Sequence, residues 1–103
     1  MNIFKKRGLK KELRQIAKRE WELSRQLIIH DMPDEELGEF SKKYPCIYHA
    51  LIVWAEELYE LMVRQDEIFM LLDMTHLRRA GIPERETVEK SIWALKQAQE
   101  CAE

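Results

Sequence analysis

The chain has 103 residues, 46% hydrophobic and 35% charged, with only three Gly and three Pro. That balance excludes a disordered or collagen-like chain and fits one charged, helix-rich domain, near the lower end of sizes that bury an adequate core. The net charge of −2 conceals an asymmetry, because residues 1–19 hold eight basic side chains and one acid, leaving −9 on the other 84.

A first helix is expected over about residues 5–30. Leu9, Leu13, Ile16, Glu20, Leu23, Leu27 and His30 recur in alternating threes and fours, the spacing of one helical face. Glu20 is the odd member, and because Glu is rarely fully buried it is expected at a partly exposed edge of the seam. Asp31-Met32-Pro33-Asp34-Glu35-Glu36 then reads as a stop and a fresh start: proline suits a first turn, and the acids complement the positive helix end. This second helix is short, about 33–43, since Gly38 weakens it and Tyr44-Pro45 ends it. The residue before a proline is pushed out of the α region.

Residues 45–80 contain no internal Gly or Pro. Leu51, Ala55, Leu58, Met62, Gln65, Phe69, Leu72 and His76 draw one stripe along them, and Ile47, Trp54, Leu61 and Ile68 a second beside it. One continuous helix of that length would reach about 54 Å and needs other helices to cover its broad apolar face. Asp73 to Thr75 is the one plausible hinge, since Thr75 could cap a separate last segment, and continuity through it is favoured. Arg78, Arg79, Gly81 and Pro83 form the stop. The fourth helix, about 83–102, opens with Pro83, Glu84 and Glu86 and turns Val88, Ile92, Leu95 and Ala98/Ala102 inward. Short connections favour antiparallel neighbours. The expected fold is all-α: an elongated antiparallel bundle of three long helices plus one short one, in a single domain.

Three groups of residues could carry a function. Glu56, Glu60, Arg64 and Glu67 share a stripe of the long helix with Glu57 on its flank, and clustered carboxylates on a rigid helix can hold Mg²⁺. The Glu56-Glu57-x-x-Glu60 run resembles the metal helix of the all-α NTP pyrophosphohydrolases (MazG-like). The likeness continues through Asp66, Glu67 and Asp73 to Gly81-Ile82, over about half the chain. It implies a Mg²⁺-dependent enzyme that cleaves a nucleoside triphosphate to its monophosphate and pyrophosphate, with Glu56, Glu57 and Glu60 as ligands. That family's second set, Glu-x-x-Asp, has no counterpart, because Met70 stands three residues after Glu67. The favoured expectation is therefore an exposed face with a Glu60–Arg64 pair and no cofactor.

The second group is basic. Arg7, Lys10, Lys11, Arg14, Lys18 and Arg25 converge opposite Leu13 and Ile16, with Trp21 among them. Cations around an aromatic suit a phosphate backbone, an anionic membrane surface or an acidic protein groove. No DNA-binding pattern is present and the acidic remainder repels a polyanion, so nucleic acid ranks below a protein partner. The third group is an apolar surplus on the long helix: Tyr48, Ile52, Val53, Trp54, Tyr59, Val63 and Met70. With Met62, the residues Ile52, Trp54 and Tyr59 are expected to bury themselves in a two-fold homodimer.

Cys46 and Cys101 are too few for a disulfide framework, and no apolar run is long enough for a signal peptide or a membrane span. The expectation is a small cytoplasmic accessory or regulatory protein of bacterial or phage type, acting through protein–protein contacts and without catalysis.

Overall fold

The computed structural model describes residues 2–27, 33–74 and 82–102, apart from the side chains of Asp34 and Ala102. These residues form α1 (Ile3–Gln26), α2 (Asp34–Lys43), α3 (Pro45–Leu71) and α4 (Arg85–Ala102), with no strand among them. The all-α bundle is therefore found. It is a rod of 52 × 21 × 21 Å whose Cα radius of gyration, 16.1 Å, exceeds the roughly 13 Å of a compact chain of this length. The expectations placed on His30, Thr75, His76, Arg78, Arg79 and Gly81 lie outside the described residues.

Local chemistry sets the helix ends. Asn2 caps α1 by accepting the Lys5 amide at 2.8 Å, which satisfies one of the free donors of the first turn. Tyr44 alone separates α2 from α3, with φ −130° and ψ 65°, because Pro45 excludes it from the α region. Pro45 sits in the first turn of α3, where a missing amide donor costs no helical bond.

The long helix ends at Leu71, nine residues short of the expected 80. Asp73 adopts φ 52°, the left-handed region, and its amide reaches Met70 O at 3.2 Å while the Met74 amide reaches Phe69 O at 2.9 Å. That pair of bonds closes a helix of the Schellman type, in a position that usually takes Gly. A short carboxylate side chain tolerates the left-handed region better than most, so the helix stops without the residue that normally announces it.

Helix α3 touches each of the other three helices, and α2 and α4 also pack directly on each other. Helix α1 lies against α3 and against no other helix among the described residues, whereas α4 packs on both α2 and α3. Glu12 meets Arg64, and Arg19 meets Glu57, seven residues further along α1 and seven back along α3; the two helices are antiparallel. One core cluster, Leu9, Ile16 and Ile68, joins the N-terminal half of α1 to the C-terminal half of α3. A larger one gathers Leu23 and Leu27 of α1, Leu37 of α2, the Tyr48–Met62 half of α3, and Val88, Leu95 and Ala98 of α4.

Two core residues differ from their expected settings. Glu20 is not at an exposed edge but is 1% exposed, because the stripe it belongs to faces α3 along its whole length. Tyr48, expected in the uncovered surplus, is fully buried, and its hydroxyl donates to Leu95 O at 2.6 Å. The corner at Tyr44 aims the start of α3 between α2 and α4, where Phe40 stacks at a tilt on Tyr48 with ring centroids 6.2 Å apart.

The helix stop gives a direct prediction. Asp73→Gly should raise the urea midpoint by an amount worth about 1 kcal/mol, since glycine enters the left-handed region without a Cβ penalty. Asp73→Val should lower it by at least as much, β-branching being least tolerant there.

Candidate interaction surfaces

The carboxylates of α3 do not converge. Glu57 turns towards α1 and takes a two-bonded grip from Arg19, at 2.6 and 3.1 Å. Glu56 turns the other way, towards α4, and pairs with Lys96 at 3.6 Å. Glu60 is exposed between them. Arg64, expected to pair with Glu60, instead holds Glu12 across the seam with two 3.0 Å bonds and Glu67 at 2.8 Å. A planar guanidinium gains more from a carboxylate facing it squarely than from one a turn away on its own helix. Among the described residues, no three His, Cys, Asp or Glu side chains are grouped so as to hold a metal ion.

The residues expected to join two copies are engaged within the chain. Ile52 is 5% exposed and Met62 is fully buried, both in the larger core cluster. Trp54 and Tyr59 pack half-buried against that cluster. Arg85 stands over the Tyr59 ring at 5.3 Å and also reaches Asp66 at 3.3 Å. The expected dimer surface is thus covered by α4 and its N-terminal arginine. Val53 and Met70 do remain exposed, but they lie on different sides of the helix.

The basic residues of α1 line its outer side. Arg7, Lys10, Lys11, Arg14, Lys18 and Arg25 are all exposed, and none makes an ion pair with a described residue. Arg25 lies over the half-buried Trp21 ring at 5.6 Å. The acids of α1 are committed elsewhere, Glu12 to Arg64 and Glu22 to Arg19.

Sequence reasoning missed Trp93. It is 66% exposed on α4, beside a cleft of about 420 Å³ between α2 and α4. Gly38, Ala94 and Ala98 form the small-residue walls, Glu35, Glu39, Lys42 and Gln97 the polar ones, and Cys101 one end. A Cβ built on Gly38 would meet nothing within 4 Å, so the cleft is open at that point. On the α4 wheel Trp93 follows Glu86 and Glu89 by seven and four residues and precedes Glu100 by seven, and these three exposed carboxylates flank it. The signal was legible: Trp93 stands one residue after Ile92, well off the inward stripe of Val88, Ile92 and Leu95.

The two cross-seam pairs carry a pH dependence. Hydrogen bonds from Arg64 hold Glu12, and those from Arg19 hold Glu57, below the ordinary carboxylate value of 4.5. A depressed folded value means the stabilisation is present above the unfolded value and is lost as pH falls through the folded one. Both pairs are over one-third exposed, which limits their worth. Unfolding by urea at pH 6 and at pH 3 should therefore show a smaller acid loss for Glu12→Gln/Glu57→Gln than for the wild type. An equal loss would place the acid sensitivity elsewhere.

Comparison with protein-family models, with curated proteins and with solved structures finds no match to this chain.

Proposed function

We propose that the protein acts by binding another polypeptide, with the α2–α4 cleft and Trp93 as the docking surface. A single observation carries this reading: a tryptophan two-thirds exposed beside a cleft with small-residue walls, within a stripe of exposed acids. Exposing a large aromatic in water is unfavourable, and aromatic anchors beside pockets dominate interface energetics. Glu86, Glu89 and Glu100 around the ring, with Glu35 and Glu39 on the facing wall, outnumber Lys90 and Lys96 beside the ring and Lys42 in the wall, and favour a partner segment that is basic and offers one apolar side chain to the cleft. The pyrophosphohydrolase alternative has less support, because Glu56 and Glu57 are drawn apart by Lys96 and Arg19. The partner is expected to be a different protein, since the apolar residues assigned to a homodimer serve the chain's own core.

Affinity capture from extract of the native cell, run in parallel with three variants, tests the proposal. Trp93→Ala should release the captured polypeptide, and Gly38→Leu should release it too by filling the cleft. Gly38→Leu should at the same time raise thermal stability by roughly 1 kcal/mol, since leucine is the better helix former. Arg14→Glu/Lys18→Glu, on the far helix, should leave capture intact. A polypeptide held equally by Trp93→Ala and Gly38→Leu would remove the cleft from consideration.

A further inference from the structure

We infer that the outer face of α1 is a docking surface for an anionic phospholipid bilayer, independent of the cleft between α2 and α4. Two observations coincide on that face. The first is its six exposed cations, which no acid on the described part of the chain neutralises. The second is Ile3 and Phe4 in the first turn, 60% and 78% exposed, where Phe4 is the most exposed large apolar residue described. On the α1 wheel Ile3 and Phe4 bracket the line of Arg7, Lys10, Lys11, Arg14 and Lys18, so apolar and basic groups face the same way. Ile3 also joins Lys6, Arg7 and Lys10 around a shallow depression.

Shape separates the candidate polyanions. From Arg7 to Arg25 the cations extend about 27 Å along a straight, convex helix. Such a line touches a plane along its whole length but meets a nucleic-acid cylinder laid across it over a short arc. A duplex also offers no apolar layer for Phe4, whereas the acyl boundary beneath lipid phosphates does. The acids of the remainder do not oppose this mode. The rod is 21 Å thick, so groups on its opposite side stand beyond a physiological Debye length of about 8 Å. An acidic protein would need a matching row of carboxylates, while a fluid bilayer supplies phosphates wherever a cation falls.

Co-sedimentation of the whole chain with vesicles tests this. At physiological ionic strength the protein should pellet with vesicles of phosphatidylcholine containing one-third phosphatidylglycerol, and remain in the supernatant with phosphatidylcholine alone. Arg14→Glu/Lys18→Glu should weaken binding at least about a hundredfold, as each charge near the surface counts for about a factor of five and the double reversal changes four charges. Phe4→Ser should weaken it about tenfold while keeping the same dependence on salt. Circular dichroism confirms folding, and Lys10→Glu/Lys11→Glu replaces the first double variant if that one unfolds. The inference is overturned by absence of binding to anionic vesicles, by equal binding to both compositions, by indifference to charge reversal, or by a short DNA duplex binding more tightly at equal phosphate concentration. Because Trp93→Ala should leave vesicle binding unchanged, failure here does not touch the proposed cleft.

Discussion

Everything in this fold depends on covering α3. Of the four helices it alone combines a long apolar stripe with contacts to all the others, and its core half is sealed from three sides by α1, α2 and α4. Apolar burial supplies most of the attraction, but it has no direction. Direction comes from a few polar contacts: the Tyr48 hydroxyl on Leu95 O fixes α4 against the start of α3, and the Arg64–Glu12 and Arg19–Glu57 pairs fix the register of α1. Each pair is modest in energy, yet a shift of one residue would break both at once.

The same constraint sorts the charges. Arg19, Arg64 and Arg85 spend their guanidinium groups on carboxylates within the chain, at the margins where helices meet. Of what is left over, the cations along the outside of α1 form the longest row, while α4 carries the exposed acids Glu86, Glu89 and Glu100 together with Lys90 near Trp93. Helices α1 and α4 do not pack against each other, so neither set is neutralised internally by the other. The asymmetry visible as +7 in the first 19 residues is therefore a property of the folded surface.

Much of this was legible because periodicity reports which side of a helix is buried. The stripes of α1 and α3, the restart after Pro33, the break before Pro45 and the inward face of α4 all follow from spacing and proline chemistry. The rest depends on contacts between helices, which spacing does not encode. Asp73 to Thr75 stands out as the one plausible hinge, yet continuity is the favoured expectation because an Asp takes the place of the usual Gly at the helix stop. Glu20 looked like an edge because its type is seldom buried, although its position in the stripe indicated otherwise. The apolar surplus of Ile52, Tyr59 and Met62 reads as uncovered because spacing does not show which helices reach it. In the folded chain α2 contributes as well, and Arg85 closes over Tyr59. Spacing likewise does not show that Glu56 and Glu57, adjacent on one helix, pair with different neighbours, Lys96 and Arg19.

The central claim is that the chain's own helices cover the apolar stripe of α3 from Tyr48 to Phe69, although Ile47, Val53, Met70 and Leu71 on its other sides stay exposed. Small-angle X-ray scattering across a tenfold concentration range at physiological salt tests it most directly. The account predicts a particle of 12.4 kDa at every concentration, elongated, with a radius of gyration slightly above the 16.1 Å of the Cα trace. A forward-scattering mass that doubles with concentration, together with a larger radius, would contradict it by showing that α3 still needs a second copy.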